Sequence, residues 1–250
     1  MPLKHCLILG GTTEARELAR RISLMIGKKV RVTTSLAGRR KTTPALAGDV
    51  RIGGFGGIEG LRAYIGENAV DLVVDATHPF ADVMSDHANV ACTAAGVARL
   101  QVLRSPWPMP PKAKYLEVDG LTGAAAILPR IARRIFLTTG IGGLEAFSGL
   151  KSLWFLIRLI DTPKGPLPLD DYELITGAPP YSLEDERALL VEHDIDTLVA
   201  KQSGGDGTAA KISAAAEAGA TIVLIRRPPP EPGPTAETVD EAFAWVETQV

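Results

Sequence analysis

Two glycine-containing turns in this chain have the residue types of anion-binding sites. Each follows a short apolar segment typical of a strand and precedes a segment with helical periodicity. Glycine lets backbone N–H groups approach an anion, hydroxyl groups donate to its oxygens, and a helix N-terminus adds partial positive charge. An ordinary helix cap is the alternative interpretation of each turn. The residues are Gly10, Gly11, Thr12 and Thr13 in the first turn, and Lys201, Ser203, Gly204, Gly205 and Thr208 in the second.

The residues after the second predicted strand, Val30 to Thr34, indicate which dinucleotide the first turn would bind. An enzyme that uses NAD commonly has a carboxylate here, which accepts hydrogen bonds from the adenosine ribose. This chain instead has Ser35, Arg39 and Arg40, with no carboxylate before Asp49. Arginine suits the 2′-phosphate of NADPH because its planar guanidinium can pair with two phosphate oxygens. We therefore predict NADPH as the cofactor, with a solvated basic loop as the alternative.

A polar cluster, Asp75 to Ala81, follows a later apolar segment that is predicted to be a strand. Ligands of doubly wound sheets lie beyond the carboxyl ends of the strands, so this cluster is well placed to contact one. A histidine side chain has an intrinsic pKa of ~6.5, so His78 could donate a proton or contact a substrate. It could equally order its own loop by hydrogen bonds. Asp75 could orient His78, or it could do no more than end the strand.

Strand-like and helix-like segments alternate along the whole chain, which is typical of parallel sheets with helices on both faces. We predict an α/β fold of two Rossmann-like lobes, with a cleft between them. A proline-rich segment connects the lobes, because proline lacks an amide donor and restricts the residue before it. The predicted domains are 1–105 and 113–250, with residues 106–112 as the linker. Thr235 is predicted to cap a last amphipathic helix.

Composition excludes several classes of protein. The chain has 250 residues, of which 46% are hydrophobic, so it is not a disordered chain. Its net charge of −2 argues against general nucleic-acid binding, and no apolar run approaches the ~18 residues that span a bilayer. Cys6 and Cys92 have no metal-ligand spacing, so we predict no metal site and a reduced, cytoplasmic location. No lysine stands four residues after a tyrosine, which argues against a short-chain dehydrogenase.

Five short motifs are spread along nearly the whole chain: LGGTTEAR at 9–16, DATHPFA at 75–81, RSPW at 104–107, LTTG at 137–140 and KQSGG at 201–205. Together they resemble the motifs of the precorrin-6A reductases of cobalamin (vitamin B12) biosynthesis. DATHPFA followed by KQSGG is the specific combination, whereas each short motif alone is not. Gln202 stands where an asparagine is expected.

The resemblance implies that the protein reduces a carbon–carbon double bond of precorrin-6A with NADPH to give precorrin-6B, with the hydride arriving at C19. The substrate would be a flat tetrapyrrole edged with carboxylates, exchanged with neighbouring enzymes of the pathway. Whether it carries cobalt stays open, as does the passage of a strand between lobes near 228–234. Another NADP-dependent reductase and a non-catalytic nucleotide sensor are the alternative functions.

The predicted site residues fall into three groups on this reading. Catalytic roles are predicted for Asp75, His78 and Lys201. Cofactor contacts are predicted for Gly10, Gly11, Thr12, Thr13, Ser35, Arg39, Arg40 and Thr77. Substrate contacts are predicted for Arg104, Thr139, Gly140, Ser203, Gly204, Gly205 and Thr208.

Overall fold

The computed structural model describes residues 3–38 and 45–250, which form two compact units. The first unit comprises Met1–Ser105 together with Pro228–Val250, and the second comprises Pro106–Arg227. Within the described residues, each unit has a sheet of six parallel strands with helices packed against it. The predicted α/β class with two parallel-sheet lobes is therefore confirmed.

The first unit begins with the alternating strands and helices that the apolar periodicity predicts. They are β1 (Lys4–Leu9), α1 (Thr13–Ile26), β2 (Val30–Leu36), β3 (Asp49–Ile52), α2 (Gly57–Glu67), β4 (Leu72–Asp75), α3 (Asp82–Ala95) and β5 (Ala98–Val102). These strands lie in the order β5-β4-β1-β2-β3. Because the chain builds outward on one side of β1 and then on the other, the direction of winding reverses between β1 and β4. Doubly wound sheets bind ligands at such a switch point.

Both faces of β1 are covered, which explains why its sequence is apolar at consecutive positions. Ile8 packs in the same core cluster as Leu18 of α1. On the other face, Leu7 packs in a cluster with Leu61 of α2 and Ala88 of α3. The buried strand therefore holds the turn that follows it in a fixed position.

The second unit repeats this order of strands. Its elements are β6 (Tyr115–Val118), α4 (Gly120–Ile131), β7 (Arg134–Leu137), β8 (Trp154–Leu159), β9 (Tyr172–Thr176), α5 (Leu183–Glu192), β10 (Thr197–Lys201), α6 (Ala210–Glu217) and β11 (Thr221–Ile225). The strands lie in the order β6-β11-β10-β7-β8-β9. The switch point of this sheet therefore lies between β7 and β10.

The C-terminal segment belongs to the first unit, where the predicted boundaries placed it in a second domain of residues 113–250. It forms β12 (Thr235–Ala236) and α7 (Val239–Thr248). β12 adds a parallel strand to the open edge of β5. Phe243 and Val246 of α7 are buried in the core cluster that also contains α1. The chain therefore returns to the first unit because α7 buries its apolar face there and β12 pairs with the otherwise free edge of β5.

Two further details differ from the sequence-based predictions. The last helix is capped by Thr238, whose hydroxyl accepts from the Glu241 N–H at 3.1 Å, whereas Thr235 lies in β12. Residues 106–112 belong to the second unit rather than forming a separate linker. Trp107 anchors them, because its side chain is buried in the core of that unit.

Candidate functional site

The turn after β1 needs both of its glycines. A Cβ on Gly10 would stand 2.9 Å from the Cγ2 atom of Thr34, which is closer than real Cβ contacts. Gly11 has a φ of +115°, a conformation that side chains disfavour. The Gly10 N–H donates to the Ser35 carbonyl at 2.9 Å, which joins the turn to the end of β2. This close approach of backbone is what a dinucleotide-binding turn requires.

Thr12 joins the turns after β1 and β4. Its hydroxyl accepts from the Ala15 N–H at 3.1 Å, so Thr12 is the N-cap of α1. The same hydroxyl donates to the Ala76 carbonyl at 2.7 Å. Its one proton is therefore engaged within the protein rather than offered to a phosphate. Thr13, at the first position of α1, is exposed.

The turn after β4 is ordered by Asp75 and Thr77. The Asp75 side chain is 1% exposed, and its Oδ1 atom accepts from the Thr77 N–H at 3.2 Å and from the Thr77 hydroxyl at 2.7 Å. Its Oδ2 atom is buried and has no hydrogen-bond partner among the residues described. These contacts fit the interpretation in which Asp75 ends the strand and shapes the turn, rather than orienting His78.

His78 is exposed on the same turn. Its Nδ1 atom accepts from the Phe80 N–H at 3.2 Å, and its carbonyl accepts from the Ala81 N–H at 2.7 Å. A neutral ring that accepts at Nδ1 carries its proton on Nε2. His78 therefore orders its loop and carries its proton at the opposite edge of the ring.

A small pocket, of about 10 Å³, lies at the carboxyl ends of β1, β4 and β5, beside the switch point. It is lined by Thr12, Glu14, Ala76, Thr77, Pro79, Val102 and Arg104. Arg104 was predicted to contact substrate, and the structure places it in this pocket of the first unit. There its Nη1 atom is 2.9 Å from both carboxylate oxygens of Glu14.

Arg51 is a cation that sequence reasoning missed. It lies opposite Ser35 in the β2–β3 register, and its Nη1 atom donates to the Ser35 hydroxyl at 3.3 Å. Its guanidinium stacks on Phe55 at 3.8 Å from the ring centroid, which fixes its orientation. Arg39 and Arg40 lie outside the described residues. Ser35 itself is buried at the end of β2, where a 2′-phosphate would be recognised.

The second glycine turn follows β10. Gly204 and Gly205 have φ values of +66° and +79°, so this backbone depends on glycine. Lys201 is half-buried, Ser203 is buried and Thr208 ends a short 3-10 turn. No side chain caps the 3-10 turn or α6 that follows it, within the residues described. Gly205 is the N-cap residue of the 3-10 turn, so the turn leads into the helix through its backbone alone and the helix-cap interpretation stays open.

Gln202 holds this turn against the segment after residue 105. Its side-chain amide donates to the Trp107 carbonyl at 3.1 Å, and its Oε1 atom accepts from the Trp107 N–H at 3.0 Å. The indole N–H of Trp107 donates to the Gly205 carbonyl at 2.7 Å. The amide at position 202 is therefore a structural clamp of the KQSGG turn.

A larger pocket, of about 320 Å³, lies in the second unit next to the turn after β7. That turn contributes Ile141, Leu144 and Glu145, and residues 163–168 of the β8–β9 connection form the other wall. Thr139, just before the turn, is buried, and its hydroxyl has no partner in the described part of the chain. Gly140 has a φ of +81°. The volume is in the range of small-molecule sites.

The described residues do not support a reactive cysteine, a metal site or a membrane-spanning helix. Both cysteines are free and buried, and burial raises the pKa of the Cys92 thiol to about 12, so it stays protonated. Within 3–38 and 45–250, no three His, Cys, Asp or Glu residues cluster as metal ligands. No helix in these ranges combines the length and the apolar character needed to span a membrane.

The chain is similar to known proteins along almost its full length. The family model of precorrin-6x reductase CbiJ/CobK matches residues 5–247. The precorrin-6A reductase of Rhodococcus erythropolis is 44% identical over 98% of both chains. The corresponding protein of Mycobacterium tuberculosis is 42% identical, again over 98% of both.

A solved structure agrees with the fold. It is a CobK precorrin-6A reductase with 36% identity and a TM-score of 0.91, and the alignment covers 99% of this chain and 97% of that one. The protein therefore belongs to the precorrin-6x reductase CbiJ/CobK family and is an oxidoreductase that acts on a ring carbon–carbon double bond.

Proposed function

We propose that this protein reduces precorrin-6A to precorrin-6B in cobalamin biosynthesis, with NADPH as the reductant. The observation that carries the proposal is the glycine turn at the β1–β4 switch point of a chain in this family. The reaction adds a hydride and a proton across one double bond of the macrocycle. NADPH, when bound, supplies the hydride.

The residues of the first unit fit a bound dinucleotide. The absence of a Cβ on Gly10 lets the turn pack closely against Thr34, whose buried hydroxyl lacks a partner in the described ranges. The N-terminus of α1, with the exposed Thr13 hydroxyl, would face the pyrophosphate. Backbone atoms of the two turns would lie against the cofactor, at Gly10, Gly11 and Thr77.

The phosphorylated cofactor is favoured by the groups at the ends of β2 and β3. Ser35 and Arg51 are in contact there, and the contacts of Arg51 engage three of its five N–H groups among the residues described. A guanidinium held by an aromatic ring is suited to a phosphate. Arg39 and Arg40, which follow β2 in sequence, would add positive charge.

The second unit is proposed to bind the tetrapyrrole. Lys201 and Ser203, with the N–H groups of Gly204 and Gly205, offer a cation and donors for carboxylates at its edge. Thr139, Gly140 and Thr208 add small polar groups. The pocket beside Ile141 and Leu144 offers apolar walls for the flat body of the substrate.

His78 is the proposed proton donor, through its Nε2–H. Asp75 supports it indirectly by shaping the turn with Thr77. Water is the competing source of the proton, and the His78 variant described in the Discussion distinguishes the two.

We propose the metal-free macrocycle as the substrate. Relatives named as precorrin-6A reductases are 38–44% identical to this chain, whereas those named as cobalt-precorrin-6A reductases are 24–29% identical. The test is oxidation of NADPH by the purified protein with precorrin-6A, with cobalt-precorrin-6A in a parallel assay. Faster turnover of cobalt-precorrin-6A would contradict the choice of substrate, and absence of turnover with both would contradict the function. Parallel assays with NADH test the choice of cofactor.

The cellular setting follows from the same proposal. We place the protein in the cytoplasm, in keeping with its two free thiols. Its substrate would come from, and its product pass to, neighbouring enzymes of the pathway.

A further inference from the structure

Glu14 and Arg104 form an ion pair in the pocket of the first unit, in which one guanidinium nitrogen contacts both carboxylate oxygens. The Nη1 atom of Arg104 is 2.9 Å from each carboxylate oxygen of Glu14. The Glu14 side chain is only 21% exposed and the Arg104 side chain only 19%. The residues are ninety positions apart in sequence, so the pair exists only because β1 and β5 end at the same edge of the sheet.

The position of this pair along the sheet indicates which half of the cofactor it meets. The adenosine ribose of a dinucleotide lies at the end of β2, and the dinucleotide crosses the sheet at the switch point. The other half therefore lies toward β4 and β5. Glu14 and Arg104 line the pocket on that side, together with Thr77 and Val102. Ser35 and Arg51 lie on the opposite side, at the ends of β2 and β3.

The charges of the pair also fit this assignment. A lone carboxylate in the first turn of α1 would repel a phosphorylated ligand, although the helix N-terminus partly offsets it. Arg104 offsets the charge, and its Nη1 atom, which lies at hydrogen-bond distance from both oxygens, holds the carboxylate in one orientation. The fixed oxygens of Glu14 can then accept hydrogen bonds from N–H or O–H groups of an incoming ligand.

We infer that Glu14 binds the nicotinamide half of the dinucleotide, by accepting hydrogen bonds from its carboxamide or ribose hydroxyls, and that Arg104 is the positioning residue that holds Glu14. This inference rests on the proposed use of NADPH. It assigns Arg104 to cofactor binding, where the sequence had predicted a substrate contact.

The same helix supplies a matched control. Glu17 and Arg20 form an ion pair one turn further along α1, with contacts of 2.9 and 2.6 Å. This pair is 43% and 56% exposed, respectively, and does not line the pocket. Substitutions E17Q and R20A therefore change the same chemistry on the same helix, away from the proposed ligand.

The test compares NADPH with 2′,5′-ADP, which contains the adenosine half and its 2′-phosphate but no nicotinamide. Dissociation constants for both ligands are measured by calorimetry on the full chain and on E14Q, R104A, E17Q and R20A. We expect E14Q and R104A to weaken NADPH binding about tenfold, as for loss of a charge-assisted hydrogen bond. Binding of 2′,5′-ADP should change less than about twofold, and E17Q and R20A should change neither ligand.

Each other outcome has a definite meaning. Unchanged NADPH affinity in both variants would overturn the inference, and an equal loss for both ligands would assign the pair to the phosphates or to the fold. R104K keeps the charge and a single nitrogen donor, so it should give a smaller loss than R104A, and for NADPH alone. If the unsubstituted protein bound neither ligand, the proposed function itself would fail instead.

Discussion

The hydroxyl of Thr12 donates a hydrogen bond of 2.7 Å to the carbonyl of Ala76, and so ties the turn after β1 to the turn after β4. The two strands are neighbours in the sheet, and the switch point lies between them. One side chain therefore caps α1 and sets the distance between the two turns that flank the proposed cofactor.

Because Thr12 has both roles, we expect Thr12→Ala to lose both stability and NADPH affinity. We expect the free energy of unfolding to fall by about 1–2 kcal/mol, from loss of the cap and of the bond to Ala76. NADPH affinity should fall as well, because the two turns lose their connection. Thermal melting and calorimetry measure the two effects. Thr12→Ser keeps the hydroxyl and should retain both properties, so an equal loss in that variant would contradict the role assigned to the hydroxyl.

We expect Arg51 to make the protein discriminate between NADPH and NADH. We expect Arg51→Ala to weaken NADPH binding about tenfold and to leave NADH binding nearly unchanged, since only NADPH carries the 2′-phosphate. Arg62, an exposed arginine on α2 paired with Glu59, provides the control variant Arg62→Ala. Equal losses for both cofactors in Arg51→Ala would mean that Arg51 supports the fold of the turn rather than the phosphate.

Substitution of His78 should change turnover without changing the affinity for the cofactor. We expect His78→Ala to lower kcat at least about tenfold, since general acid catalysis contributes about 10²–10⁴-fold, while the dissociation constant of NADPH is unchanged. His87, which lies on α3 outside the turns, provides the control His87→Ala. Unchanged turnover in His78→Ala would assign the proton to water and leave His78 as a residue that orders its loop.

Lys201 predicts a charge-dependent affinity for the substrate. We expect Lys201→Ala to raise KM for precorrin-6A about tenfold, with NADPH affinity unchanged, because a cation facing carboxylates is lost. The effect should shrink as salt is added, since ions screen the exposed part of the interaction. Lys151→Ala, in an exposed turn, is the control. A fall in kcat without a change in KM would instead place Lys201 in the chemical step.

The sequence predicted those strands, helices and turns that depend on a short-range pattern of residues. The apolar run before Gly10 and the helical periodicity after it predict β1, α1 and the turn that joins them. Thr235 shows where this fails, because a two-residue strand has no local signal and forms only against the edge of β5. Arg51 was missed for the same reason, as it meets Ser35 only through the register of two parallel strands.

Arg104 shows a related limit for the site. Its motif suggested a ligand contact, but the partner that determines which ligand is Glu14, far away in sequence. Asp75 likewise was predicted to orient His78, but its Oδ1 atom accepts from the hydroxyl of Thr77, two residues further along the chain. Which of several nearby polar groups pair is decided by backbone geometry that residue types do not specify.

His5 predicts a loss of stability in mild acid. Its ring is buried, with Nδ1 2.9 Å from the Asn68 carbonyl and Nε2 2.8 Å from the Thr33 hydroxyl. Burial is the largest cause that lowers the pKa of His5, and the positive charge of Arg31 lowers it further, against raising contributions from the Asn68 carbonyl, Asp49 and Asp71. The folded state therefore resists protonation of this ring more than the unfolded state does.

The sign of the pH effect follows directly. Between the lowered pKa of the folded state and the ordinary value of ~6.5, the unfolded chain binds more protons, so stability rises with pH. The contribution of His5 is complete above ~6.5 and is lost as the pH falls through the folded pKa. We expect the Tm to drop between about pH 7 and about pH 5, and to drop less in His5→Gln, which cannot titrate there. His87→Gln is the control and should keep the full slope. An equal slope in His5→Gln would mean that the carboxylates, rather than this buried ring, set the acid limit of the fold.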